Sequence, residues 1–316
     1  MEKARELLSA GDRETGSVSG LEVRPHYAGH ASSFYEGLAL RGIKVDNIQR
    51  GSLTCTFTVP PRLTGGDGNL TPGAIANLVD AVGSAAMIAD GQHSKVSVDM
   101  SISYVAAARL HDVLEITAKV LGHKAGYYGT YVLFKNKATG EIVAEGRHSL
   151  FVETAEEQME KARELLSAGD RETGSVSGLE VRPHHAGHAS SFYEGLALRG
   201  IRVDNIQRGS LTCTFTVPPR LTGGDGNLTP GAIANLVDEV GAAATIADGQ
   251  HSKVSVDMSI SYMAAARLHD ELEITAKILG HKAGYSGTYV LLKNKATGEI
   301  VAEGRHSLFG NLLSKI

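Results

Sequence analysis

An aspartate sits in the middle of an apolar helical run: Asp80 stands among Ile75, Leu78, Val79 and Val82, and Asp238 stands in a matching setting 158 residues later. Such a carboxylate is either a solvated acid on an amphipathic helix or a partly desolvated base. In the second case burial raises its proton affinity toward values that suit deprotonation of water. The run by itself leaves both open. His26 with His30, and His184 or His185 with His188, are spaced like metal ligands, but they lie in Gly-containing stretches without an acidic or Cys neighbour, so no metal is expected. Residues 64–69 are glycine-rich yet lack the Lys-Ser/Thr of a phosphate-binding loop. Cys55 and Cys213 lie inside strand-like runs and read as buried thiols rather than as a disulfide.

The elements that carry these residues are encoded twice. Met1 to Phe151 recurs as Met159 to Phe309 with ten substitutions and no gap. A period this long exceeds that of solenoid repeats, so each copy is a complete domain. The organisation read from the sequence is a first domain over 1–151 with a helical arm at 1–45 and a core at 50–151, a linker at 152–158, a second domain at 159–309 and a tail at 310–316. Residues 2–9 and 31–41 have helical composition. Leu53 to Val59 alternates with period two and is closed by Pro60-Pro61. Thr71 suits an N-cap and Pro72 the first helical position of a helix of about 18 residues running to Asp90 and Gly91. Four strand patterns follow, over 95–104, 114–121, 130–135 and 142–151. In the first, Val96, Val98, Met100, Ile102 and Tyr104 share one face, and Ser97, Asp99, Ser101 and Ser103 share the other. The pattern is α+β: an antiparallel sheet wrapped around one long helix, present in tandem.

Composition narrows the functional classes. A net charge of −4 gives no field for nucleic acid or an anionic membrane. No apolar stretch approaches the roughly 20 residues that span a bilayer. The start, Met1-Glu-Lys-Ala-Arg-Glu-Leu, carries no signal-peptide core, so a cytoplasmic or peroxisomal protein is expected. Ser314-Lys315-Ile316 is one conservative step from a peroxisomal address.

The run Asn77-Leu-Val-Asp80, followed by Val96 to Tyr104 and by Asn136-Lys-Ala-Thr-Gly-Glu-Ile-Val-Ala-Glu-Gly-Arg-His148, resembles the hotdog-fold acyl-CoA thioesterases. The likeness is to their PaaI-like branch, the thioesterase superfamily member 2 group, and it covers roughly 50–151 and 208–309. The resemblance implies a tandem of hotdog domains, hydrolysis of a coenzyme A thioester and no further cofactor. It implies Asp80 and Asp238 as the carboxylates that activate water, and Ser97 and Ser255 as polar residues near the substrate. Tyr104 to Arg109, Gly122 to Tyr127 and their copies Tyr262 to Arg267 and Gly280 to Tyr285 would line the coenzyme A channel. Arg109, His123 and Lys124, with Arg267, His281 and Lys282, are then candidates for its phosphates, since cationic donors suit phosphate oxygens.

A helix start would polarise the thioester carbonyl through its unpaired N–H groups. Here the sequence departs from the family, because Thr71-Pro72-Gly73 and Thr229-Pro230-Gly231 replace the usual His-Gly-Gly. Proline stands where a glycine N–H normally serves and has none to offer. Gly73 is a substitute after a small shift, and Asn69 stands in for the asparagine that relatives place where this chain has Gly65. A non-catalytic acyl-CoA or lipid-binding protein is the alternative. A hydratase or dehydratase is disfavoured because the sequence pairs no histidine with the acid of the central helix.

Three of the ten substitutions fall on that helix: Ala81/Glu239, Ser84/Ala242 and Met87/Thr245. Glu239 is read as a surface charge. Since hotdog subunits pair edge to edge with each active site between them, the fusion implies an internal pseudo-dimer with two composite sites. Two chains associating into a tetramer-like assembly is the further expectation.

Overall fold

The computed structural model describes residues 33–92, 96–124, 126–151 and 191–310, together with Val23 and Val181. The expected helix at 2–9 and its copy in the second domain, the histidines of the two metal-like clusters, the linker 152–158 and the tail signal lie outside the described residues.

Among the described residues, each copy begins with a short helix, α1 (Phe34–Leu40) and α3 (Phe192–Leu198), started by a capping box in which Ser33 and Glu36, or Ser191 and Glu194, satisfy each other's backbone N–H groups. Two strands follow in each copy: β1 (Lys44–Gln49) and β2 (Ser52–Thr58), then β7 (Arg202–Gln207) and β8 (Ser210–Thr216). The long helices are α2 (Pro72–Ala89) and α4 (Pro230–Ala247). The remaining strands are β3 (Val96–Tyr104), β4 (Val113–Lys124), β5 (Tyr127–Asn136) and β6 (Ile142–Phe151), repeated as β9 (Val254–Tyr262), β10 (Glu271–Lys282), β11 (Tyr285–Asn294) and β12 (Ile300–Phe309).

Strand β1 carries no clear alternation. It is a polar edge strand with a register shift between Val45 and Asn47, so the pattern that reveals half-buried strands is absent. Helix α2 has the length and hydropathy of a membrane span, yet it is nearly all buried under its own sheet. Gly83 sets how closely helix and sheet approach: a β-carbon there would stand 2.8 Å from Thr130 Oγ1.

The twelve strands form one antiparallel sheet in the order β1-β2-β4-β5-β6-β3-β9-β12-β11-β10-β8-β7. The seam is β3 against β9, with Ser101 opposite Ser259. Across it Ser103 donates to Asp257 at 3.2 Å and Ser261 donates to Asp99 at 3.3 Å. One hydrophobic core runs through both copies, and α2 packs against α4. Tyr35 and Tyr193 meet hydroxyl to hydroxyl at 3.1 Å, joining the two arms. This is a tandem hotdog fold closed into an internal pseudo-dimer.

Strand β3 departs from strict alternation. Ser97 pairs with Leu150 and Asp99 with Ser149, so Val98 is an extra residue bulged out of the ladder. The bulge reverses parity, and Ser97 points to the helix side with Met100 and Ile102 rather than sharing a face with Asp99 and Ser101. Strand β9 repeats the device between Ser255 and Asp257.

Candidate active site

Thr71 caps α2 by accepting the Ala74 N–H on its hydroxyl at 3.3 Å, and Pro72 occupies the first helical position. Two turns further on, Asp80 leaves the helix toward β3. Ser97, turned inward by the bulge, donates to Asp80 Oδ1 at 3.0 Å. Behind it, His148 of β6 places Nε2 3.0 Å from Ser97 Oγ and 3.4 Å from Asp80 Oδ1. The second copy repeats this set more tightly: Ser255 to Asp238 at 2.6 Å, His306 Nε2 to Ser255 at 3.0 Å and to Asp238 at 3.2 Å.

The direction of this chain follows from counting protons. The serine has one hydroxyl hydrogen and gives it to the carboxylate, so its lone pair accepts Nε2–H of the histidine. His306 is fully buried, and burial holds its pKa down to about 4, which keeps it neutral near pH 7. Asp238 is pushed up to about 6 by burial, against the pull of the Ser255 hydrogen bond, with the charge of Glu194 adding to the rise. The imidazole therefore orients the serine, and the serine aims the carboxylate.

Asp80 and Ser97 open onto a cavity of about 490 Å³ whose far wall belongs to the second copy: Gly223 to Asp225, Asn227 to Pro230, Ile233, and Tyr262 to Ala265. Asn77, Ala81, Glu36, Leu40 and Val96 complete the near wall. Tyr262 donates to the Pro230 carbonyl at 3.3 Å, which fixes the helix start of α4 over the cavity. Gly231 presses on Asn77; a β-carbon at 231 would stand 2.5 Å from Asn77 Oδ1. Asn235 meets Gly73 in the same way. It is 1% exposed, and its amide nitrogen has no partner among the described residues.

The structure thus brings Asp80, Ser97, Thr229 and Tyr262 to one cavity, with Gly231 adjoining it through Asn77. Arg267 pairs by backbone with Asn227 on the cavity wall, and Arg109 pairs likewise with Asn69. His123, Lys124, His281 and Lys282 do not line this cavity. They are exposed at the ends of β4 and β10, His123 stacking on Tyr128 and His281 lying 3.8 Å from Asp248 at the C-terminal end of α4. Asn69 is bound by the Asp67 carboxylate in its own loop.

Three readings change. The acid of the central helix does have a histidine partner, which sequence patterning missed because His148 lies 68 residues away on β6 and reaches Asp80 only through the folded sheet. It stands behind the serine with no exposed side-chain surface, so it is not placed to act on a substrate as a hydratase histidine would. Glu239 is not a plain surface charge. It is half-buried beside Asp238 and Glu194, and burial with those two carboxylates raises its proton affinity well above the ordinary value. Ser97 lies on the opposite face from the one that strict alternation gives it.

Residues 67–124 and 225–282 match the family model described as the thioesterase superfamily. Acyl-coenzyme A thioesterase 13 of Homo sapiens is 38% identical over 100 residues, which is 31% of this chain and 71% of that protein. The Mus musculus protein of the same name is 38% identical over 98 residues, 31% of this chain and 70% of its own length. The chain belongs to the thioesterase superfamily. Solved thioesterases share its double fold at low identity. An acyl-ACP thioesterase from Bacteroides thetaiotaomicron aligns over 81% of this chain and 97% of its own, at 14% identity and a TM-score of 0.54. The 12:0-ACP thioesterase of Umbellularia californica covers 81% of this chain and 93% of its own, at 13% identity and a TM-score of 0.54. As a member of this superfamily the chain is a thioester hydrolase, and both family matches include a central-helix aspartate, Asp80 or Asp238.

Proposed function

We propose that the chain hydrolyses acyl-CoA thioesters by carboxylate-assisted attack of water, at two composite sites that each use both copies. The observation that carries this reading is the relay from His148 through Ser97 to Asp80, ending on a cavity walled by the other copy's helix start. Asp80 takes a proton from water as the water oxygen bonds to the thioester carbon. The tetrahedral intermediate then collapses, the carbon–sulfur bond breaks, and the coenzyme A thiolate leaves and is protonated, giving free acid and coenzyme A.

The intermediate needs donors for its oxyanion. Pro230 supplies none, and the Ala232 N–H is taken by the Thr229 cap at 3.3 Å. The first-turn donor left is the N–H of Gly231, the residue whose Cα packs closely against Asn77. The Asn77 amide, on the cavity wall one turn before Asp80, supplies the second donor in this reading. Arg267 and Arg109, tied by their backbones to the loops at the cavity walls, are the cations best placed for the coenzyme A phosphates.

The proline at the usual donor position favours a second reading, a binding protein without turnover. Release of free coenzyme A from acyl-CoAs separates the two. Turnover by the native chain that disappears in Asp80→Asn/Asp238→Asn supports hydrolysis, whereas tight binding without turnover supports the carrier.

A further inference from the structure

The two composite sites differ where their walls differ. Ala81 contributes a methyl group to the cavity on the Asp80 side, next to Asp80 and beside Glu36. The pseudo-two-fold axis puts Glu239 in the same place beside Asp238. Met263 lines the first cavity, and Val105 is its counterpart in the repeat. Glu194, the counterpart of Glu36, behaves differently from it. Glu36 folds back on the Ser33 backbone and hydroxyl at 2.9 Å, whereas Glu194 Oε1 also reaches the Gly66 N–H of the other copy's loop at 3.4 Å. Its charge bears on both Asp238 and Glu239. By the repeat symmetry the second site has three neighbouring carboxyls, Glu194, Asp238 and Glu239, where the first has two carboxyls and a methyl group.

We propose that Glu239 is the specificity-determining residue that divides the labour of the two sites: the Asp238 site takes acyl groups carrying a hydroxyl, and the Asp80 site takes alkyl acyl groups with little discrimination against hydroxylated ones. This rests on the thioesterase reading. An alkyl chain entering the second site strips water from the Glu239 carboxyl and returns no hydrogen bond, which leaves a buried polar group unpaired. A hydroxylated acyl group returns that bond. A site built around a hydrogen bond discriminates against an analogue lacking it far more strongly than an apolar pocket discriminates against an added hydroxyl. The first site, with Ala81, therefore accepts both kinds less selectively.

The test uses the full chain and two coenzyme A derivatives of equal length, one alkyl and one hydroxylated, each as the thioester and as a non-hydrolysable thioether. In the Asp80→Asn background, where the second site alone remains, the kcat/KM ratio of hydroxylated to alkyl thioester should exceed about tenfold. Adding Glu239→Ala should collapse that ratio by raising alkyl turnover. The copy-one residue at that position is alanine, so the fold accommodates it. Calorimetry with the alkyl thioether should find one molecule bound per native chain and two per Glu239→Ala chain. A ratio unmoved by Glu239→Ala, or two equal alkyl sites in the native chain, overturns the proposal. Binding stoichiometry is read without turnover, so a chain that binds as described but releases no coenzyme A would sink the hydrolase reading and leave the division between sites standing.

Discussion

Gly73 of the first central helix touches Asn235 of the second so closely that a β-carbon at residue 73 would stand 2.7 Å from that of Asn235. The reciprocal contact joins Gly231 to Asn77. These two pairs draw each helix start across to the carboxylate-bearing helix of the other copy. Gly73→Ala with Gly231→Ala should therefore destabilise the chain, because overpacking costs about 1–3 kcal/mol and outweighs the roughly 1 kcal/mol that alanine gains over glycine inside a helix. A rise in melting temperature would show that the helices separate freely.

Asn77 and Asn235 are expected to matter more to rate than to stability. Replacing both with leucine removes the amide donor, and losing one oxyanion donor costs about 10²- to 10³-fold in kcat. The loss of stability should be small beside the loss of rate, since the closer packing of leucine against Gly73 and Gly231 is offset by removal of an Asn235 nitrogen that is buried without a partner among the described residues. Parallel kinetics and thermal melts check this. Unchanged kcat in the double variant would remove the asparagines from the reaction.

For the carboxylates, Asp80→Asn/Asp238→Asn should lower coenzyme A release by about 10²- to 10⁴-fold, the usual range for a general base, with little change in secondary structure by circular dichroism. Retention of more than a tenth of the native rate would mean that another group activates water.

The serine should show itself in the pH profile. Ser255 donates to Asp238 and favours its charged form, so Ser255→Ala should raise the Asp238 pKa further above about 6. The base must be ionised to work, so at this site activity rises with pH through that value, and the variant's acid limb should shift to higher pH. Measured with Asp80→Asn in the background, an acid limb that stays put or moves down would contradict the relay.

The same groups bias stability in opposite directions. Asp238, raised from 3.8 to about 6, makes the folded state bind more protons than the unfolded one between those values, so its contribution falls as pH rises across that window. His306, lowered from 6.5 to about 4, makes the folded state bind fewer, so its contribution grows as pH rises from about 4 to 6.5. Asp238→Asn removes the first effect and should make stability climb more steeply with pH over that range than in the native chain, as denaturant melts at a series of pH values will report.

Much of the fold was legible because its elements repeat simple periods. The capping Thr71, Pro72 at the first helical position and the apolar run to Ala89 announce α2, and period-two runs announce β2 and β4 to β6. Strand β1 was not visible, since a bulged polar edge strand alternates with nothing. The candidate site was named at Asp80 and Ser97 through family likeness, and the fold brings those two side chains together at one cavity. The inward turn of Ser97 depends on one extra residue, Val98, that period counting absorbs silently. His148 carries no local signal at all: it is one histidine in a strand, and only sheet order puts it under the helix. The environment of Glu239 is equally non-local, because Glu194 arrives from another element.

The crosswise construction of the sites also bears on inheritance. In a dimer of identical subunits every coding change appears at both sites at once, so a glutamate at residue 239 would be matched by one at residue 81. A single reading frame holding both halves removes that bond. One half can accumulate Glu239 while the other keeps Ala81, and a change in the loop of one half is felt at the carboxylate of its sibling.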